Sequence, residues 1–168
     1  VSNSSFTITD AGGNDTVDLS GFTSDQIINL QVPDLSDSQL IPSTVGDGGE
    51  TQNLFFSPGT VVENAIGGSG ADYLTGNDAN NTLTGNSGND TFNGGPGNDS
   101  IDGGSGGTDI AVFSGHLTDY RFTEDSSGVL AEDLRGGSPD GTDTIVGIER
   151  VQFADQTVSI ADALQLTG

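Results

Sequence analysis

The sequence predicts an all-β fold, a parallel β-roll with flanking and capping β-strands, on three observations. Residues 67–102 divide into four ninefold frames without an insertion: GGSGADYLT, GNDANNTLT, GNSGNDTFN and GGPGNDSID, opening at Gly67, Gly76, Gly85 and Gly94. Each frame carries Asp or Asn at position 6 (Asp72, Asn81, Asp90, Asp99) and a large apolar residue at position 8 (Leu74, Leu83, Phe92, Ile101). The chain has 27 Gly and only 31% hydrophobic residues, too few for an ordinary core but enough for a narrow solenoid.

The chemistry of the frame follows from its order. Six residues rich in Gly and Asn form a turn with backbone angles that branched residues resist. Three residues then form a short strand whose middle side chain points inward. Two frames close one coil, so residues 18 apart, such as Asp72 and Asp90, stack at about 4.8 Å. Asn81 is expected over Asp99, Leu74 over Phe92 and Leu83 over Ile101. Stacked carboxylates at that spacing repel each other. A hard divalent cation between them, completed by turn carbonyls, reverses the sign, and oxygen donors on flexible turns suit Ca²⁺ better than Mg²⁺.

Charge agrees with this. Twenty-five acidic residues against 3 basic ones give a net charge of −22, and all but five of the acids are Asp. A chain so acidic and so poor in apolar surface is expected to stay unfolded without counterions, so that binding and folding are one event. Three scattered Arg cannot neutralise a nucleic-acid backbone. There is no Cys, hence no disulfide, and no apolar run of membrane-spanning length. His116 is the single His, which leaves no H-E-x-x-H zinc helix and no convincing triad. Neither a G-x-S-x-G elbow nor a phosphate-binding GK[ST] loop is present. The chain is therefore expected to be non-catalytic.

The frames resemble the RTX repeats of bacterial proteins exported by type I secretion. The approach Val62-Glu-Asn-Ala-Ile-Gly-Gly-Ser-Gly-Ala-Asp72, with Asp10-Ala-Gly-Gly-Asn-Asp15 before it, resembles the C-terminal domain of serralysin-type zinc metalloproteases over about residues 5–113. Residues 114–168 look more like the tails of other RTX exoproteins. The resemblance implies ions held by carbonyls at positions 2 and 4 and the carboxylate at position 6 of one turn. Positions 1, 3 and 6 of the turn two frames on complete each set. One ion would lie among Gly68, Gly70, Asp72, Gly85, Ser87 and Asp90. The next would use Asn77, Ala79 and Asn81 with Gly94, Pro96 and Asp99; Gly95 and Gly97 offer the carbonyls on the far side of that turn. A third would use Asn86, Gly88 and Asp90 with Gly103, Ser105 and Asp109, although the Asp of that last frame falls one residue late. Glu63 with the Val61 carbonyl would share an ion with Gly76, Asp78 and Asn81. Asp10, Gly12, Gly13 and Asp15 are implied ligands of a further ion. Asp140 and Asp143 either hold one more ion or form a solvated turn.

Three stretches of one structural unit are expected. Residues 1–66 are strands and an acidic turn leading into the roll, 67–111 the roll, and 112–168 capping strands with a possible export-signal tail. Ser20–Leu30 reads as a short strand or a loose helical turn, 33–50 as an exposed loop, and 159–168 as a short amphipathic helix. The expected role is Ca²⁺-driven folding outside the cell, in support of type I secretion of a hydrolase such as a serralysin-like metalloprotease. The partners would be an upstream catalytic domain and the secretion machinery, with the chain a secreted monomer that neither inserts in a membrane nor binds nucleic acid. The rival reading is a surface adhesion or polysaccharide-binding module with a ligand on its exposed face. The outward row Tyr73, Thr82, Thr91 and Ser100 either binds a surface or ice or reflects the strand preference of Thr.

Overall fold

The computed structural model describes residues 5–9, 12–32, 43–45 and 52–167. The N-terminal part contains β1 (Ser5–Ile8), β2 (Thr16–Asp18), β3 (Ile27–Asn29), β4 (Ser43–Val45) and β5 (Gln52–Phe56). The repeats supply β6 (Asn64–Ile66), β7 (Tyr73–Thr75), β8 (Thr82–Thr84), β9 (Thr91–Asn93), β10 (Ser100–Asp102) and β11 (Ile110–Val112). The C-terminal part adds β12 (Tyr120–Asp125), β13 (Gly128–Asp133), β14 (Thr142–Val146), β15 (Arg150–Gln152), β16 (Thr157–Ser159) and the helix α1 (Ile160–Thr167). That helix is where the amphipathic tail was expected. No helix among the described residues is long and apolar enough to cross a membrane.

Successive repeat strands go to opposite sheets, as a two-frame coil requires. Among the described residues one sheet runs β1-β5-β4-β3-β7-β9-β11-β15-β16 and the other β12-β13-β14-β10-β8-β6-β2. The parallel registers pair Leu74 with Phe92 and Leu83 with Ile101. These position-8 residues extend into two inward rows. Ile28, Leu74, Phe92, Ala111 and Val151 line one sheet; Val17, Ala65, Leu83, Ile101 and Ile145 line the other. All ten are buried. One side chain per three-residue strand faces inward, so the core is a single file from each sheet and depends on exact stacking.

Two expectations change here. Within Ser20–Leu30 only Ile27–Asn29 is strand, β3, which runs parallel to β7. Within 33–50, the described residues Ser43–Val45 are strand β4, antiparallel to β5 and β3; the rest of that stretch lies outside the described residues.

Beyond the repeats the chain changes to antiparallel pairing. β12, β13 and β14 form a meander whose last strand runs parallel to β10. Phe113, Tyr120, Phe122 and Phe153 pack with ring centroids 5.1–5.9 Å apart and close the apolar end of the roll. Around them Arg135 donates to Asp133, Ser114 and Tyr120 and pairs with Asp140. Ser114 and Tyr120 donate in turn to the Asp140 carboxylate.

Candidate metal centre

The position-6 residues form two columns at the edges of the roll. In the first, the Gln26 N–H donates to Asp72 Oδ1 (2.7 Å), Asp72 N–H to Asp90 Oδ1, Asp90 N–H to Asp109 Oδ1 and Asp109 N–H to Glu149 Oε2 (each 2.8 Å). In the second, Asp15 N–H donates to Glu63 Oε2 (2.9 Å), Asn81 N–H to Asp99 Oδ1 and Asp99 N–H to Asp143 Oδ1 (both 2.8 Å). Asn81 joins that column through its side-chain amide, which donates to the Glu63 carbonyl at 3.0 Å. Each carboxylate thus has one oxygen fixed by the neighbouring coil.

The second oxygen differs along the columns: that of Asp72 accepts the Gly68 N–H at 2.6 Å, while two others are bare. Asp90 and Asp99, 0% and 3% exposed, each have a buried Oδ2 that no hydrogen-bond donor reaches. A buried carboxylate oxygen without a partner is costly. Burial accordingly pushes the carboxyl of Asp90 up to about 6, that of Asp99 to about 7 and that of Asp143 to about 8. Asp72 and Asp109 are raised by the same cause. Neighbouring carboxylates add to the rise, Asp72 and Asp109 acting on Asp90 and Asp140 on Asp99.

Glycine at position 1 makes room for these oxygens. A methyl group at Gly67 would meet Asp72 Oδ2 and, at 3.0 Å, the Gly85 carbonyl. At Gly85 it would meet Asp90 Oδ2 and, at 2.8 Å, the Gly103 carbonyl; at Gly76 it would meet Asn81 Oδ1 and the Gly94 carbonyl. The same cradle, an acidic or amide oxygen facing the position-1 carbonyl of the next coil, therefore recurs along both columns. Among the described residues no three His, Cys, Asp or Glu side chains converge to hold a metal by themselves. A cation here would be held by paired position-6 oxygens and backbone carbonyls, a donor set of oxygen alone that fits Ca²⁺.

The expected ligands fall as follows. Asp72, Asn81, Asp90, Asp99 and Asp109 stand in the columns, and the extra residue before Asp109 does not displace it: the turn takes it up at Gly107, with φ +77°, against the Gly88 carbonyl. Gly68 and Gly70 lie against the turn at Phe22–Asp25, Gly88 against the Gly70 carbonyl, and Gly95 and Gly97 against the carbonyls of Asn77 and Ala79. Ser87 and Ser105 form a parallel bridge between coils. Glu63 sits in its column beside Asp15, while Val61 and Asp78 are exposed. Gly12 and Gly13 have φ of +112° and +153°, as a tight turn before Asp15 needs; Asp10 lies outside the described residues. Asp143 is buried within a column, and Asp140 is buried against Tyr120, Ser114 and Arg135. The solvated-turn alternative for that pair does not hold.

Two column members were not legible as such. Gln26 holds position 6 of the degenerate frame Gly21–Asn29, in which an amide replaces the acid and Gly21 and Ile28 keep their places. Glu149 follows Asp109 by 40 residues, and its signal was the likeness of Ile148-Glu-Arg-Val-Gln-Phe153 to Val62-Glu-Asn-Ala-Ile66.

Comparison with known proteins agrees with this geometry. The family model described as Peptidase M10 serralysin C terminal matches residues 2–165. Serralysin of Photorhabdus laumondii subsp. laumondii is 51% identical over 76 residues, 45% of this chain and 14% of that protein. Serralysin of Proteus mirabilis is 45% identical, and metallopeptidase AprA of Pseudomonas marginalis 43% identical, over the same shares. The matched part of the chain thus spans about one seventh of these relatives' length. With a family match over nearly its whole length, the chain belongs to the serralysin C-terminal family of M10 peptidases, as a C-terminal domain and not a catalytic one.

Proposed function

We propose that this chain is a non-catalytic Ca²⁺-binding domain that folds on meeting Ca²⁺ outside the cell and so supports type I export and folding of a secreted, serralysin-like metalloprotease. The observation that carries this reading is the pair of buried, donorless oxygens, Asp90 Oδ2 and Asp99 Oδ2, set in two stacked columns. Bound Ca²⁺ supplies the positive charge that these columns lack.

The chain cannot supply that charge from within. Its three Arg stand at 121, 135 and 150, all beyond the repeats, and it has no Lys. Asp72 with Asp90, Asp90 with Asp109, and Asn81 with Asp99 are the pairs that would hold ions, with carbonyls of Gly68, Gly70, Gly85, Ser87, Asn86, Gly88, Gly103, Ser105, Asn77, Ala79, Gly94 and Pro96. Glu63 with Asn81, and Asp99 with Asp143, extend the second column. At the low Ca²⁺ of a cytosol the acids repel, the single-file core cannot close, and the chain stays threadable. Extracellular Ca²⁺, on the order of 10⁻⁴–10⁻³ M in affinity for such modules, reverses this.

A circular-dichroism titration tests the reading. A coil-to-β transition driven by Ca²⁺ and not by equal Mg²⁺ supports it. A chain fully folded in chelator and indifferent to Ca²⁺ would reduce the columns to scaffold.

A further inference from the structure

We propose that the chain holds a further Ca²⁺ at the end of its first column, between the turn Gly103–Asp109 and the short turn Gly147-Ile148-Glu149. This rests on the reading above and extends it to a place that the ninefold rhythm does not reach. The cradle at position 1 is built here once more. A methyl group at Gly103 would meet the Gly147 carbonyl and, at 2.8 Å, Asp109 Oδ2, as one at Gly85 would meet Gly103 O and Asp90 Oδ2. The backbone register matches too: Gly103 N–H donates to Val146 O at 2.9 Å, as Gly85 N–H does to Asp102 O at 2.9 Å. Gly147 therefore stands where the next position-1 glycine belongs.

Glu149 then takes the position-6 place. Its Oε2 accepts the Asp109 N–H at 2.8 Å, the bond that Asp109 Oδ1 makes with Asp90. Only Ile148 separates Gly147 from Glu149, where a full frame has four residues between positions 1 and 6, and the additional methylene of Glu offsets the shorter turn. Glu63 is its counterpart in the second column, where a glutamate likewise takes the place of Asp and receives the Asp15 N–H at 2.9 Å. The independent sign of a ligand is Asp109 itself. It is 2% exposed, its Oδ1 is taken by Asp90, and its Oδ2, which keeps a trace of solvent access where those of Asp90 and Asp99 have none, faces the cradle.

The site would also fasten the last helix. Glu149 O accepts the Ile160 N–H at 3.0 Å, so α1 begins on the residue that closes the cradle.

Equilibrium dialysis of the whole chain at saturating Ca²⁺ tests this, comparing wild type with Glu149→Gln, which keeps an acceptor but removes the charge. Gly147→Ala is the second variant: its φ of +62° strains any residue but glycine and so displaces the cradle carbonyl without touching the Asp90 site, which decides the matter should Glu149→Gln fail to fold. Each should bind one ion fewer per chain. In wild type, Ca²⁺ should slow amide exchange at residues 147–152 and at the start of α1, and Glu149→Gln should lose that protection while the strands of the repeats keep theirs. An unchanged ion count and unchanged protection would overturn the site and leave the proposed function standing. A wild-type chain that binds no Ca²⁺ would overturn both.

Discussion

The backbone N–H of Asp99 donates to Oδ1 of Asp143 at 2.8 Å across 44 residues, the bond that joins Asn81 to Asp99 across 18. The antiparallel meander of β12, β13 and β14 is therefore an insertion that leaves the column in register. Thr142 N–H donates to Asn98 Oδ1 at 2.9 Å, as Asn98 N–H does to Asn80 Oδ1, so position 5 keeps register as well. The coil ends where the column ends, not where the ninefold rhythm stops.

Asp143→Ala removes the acceptor of a buried N–H together with its charge. The unmet donor should cost about 1–3 kcal/mol, read as a lower melting temperature at saturating Ca²⁺. Asp143→Asn keeps an acceptor and should lose less stability while still moving the Ca²⁺ midpoint upward.

The metal-free chain should respond to acid in an uncommon direction. Burial raises Asp90 to about 6, Asp99 to about 7 and Asp143 to about 8, against an unfolded carboxyl near 3.9. The folded form therefore binds protons more tightly than the unfolded one. Stability from this source is full below about pH 4 and is lost as pH rises through 6 to 8. In chelator, β-sheet circular dichroism should increase on going from pH 8 to pH 5. In the same window Ca²⁺ binding should release protons, measurable as a buffer-dependent enthalpy.

Legibility in the sequence divides along a physical line. The four frames from Gly67 to Asp102 were readable because each turn repeats the same backbone problem, and Gly and Asp are the residues that solve it. Leu74 over Phe92 followed from the coil length alone. Gln26 and Glu149 were hidden because the column needs only an oxygen at the right height, which an amide or a longer acid on a different turn can supply. The cap was hidden for another reason: its antiparallel pairings and the Arg135 network depend on contacts between Ser114, Tyr120, Asp133 and Asp140 that no period announces.

Gly88→Ala should be among the most damaging glycine replacements. The position has φ +131°, and an added methyl would fall on the Gly70 carbonyl, a backbone atom fixed by the neighbouring coil. Gly21→Ala has open space and no left-handed backbone, and should change stability by less than about 0.5 kcal/mol. Paired thermal melts in Ca²⁺ separate the two.

Arg135→Ala should destabilise the cap even at saturating Ca²⁺. Burial would raise the Asp133 carboxyl, but its bonds to Arg135 hold it below the usual range, and its side chain is fully buried. Stranding that charge should cost about 3 kcal/mol. Arg135→Lys should rescue only partly, because an ammonium cannot reach Asp133, Ser114 and Tyr120 with one planar fork. Near-ultraviolet tyrosine dichroism through a thermal melt at saturating Ca²⁺ reports the loss.

If the bare Oδ2 of Asp90 is a Ca²⁺ ligand, Asp90 should serve two ions at once, because it stands between Asp72 and Asp109. The measurement is Ca²⁺ binding by equilibrium dialysis for wild type, Asp90→Asn and, as a control, Asp125→Asn, an exposed acid outside both columns. Asp90→Asn should weaken or lose two ions per chain, while Asp125→Asn should bind as wild type does. Equal binding by all three chains would contradict that role for Asp90.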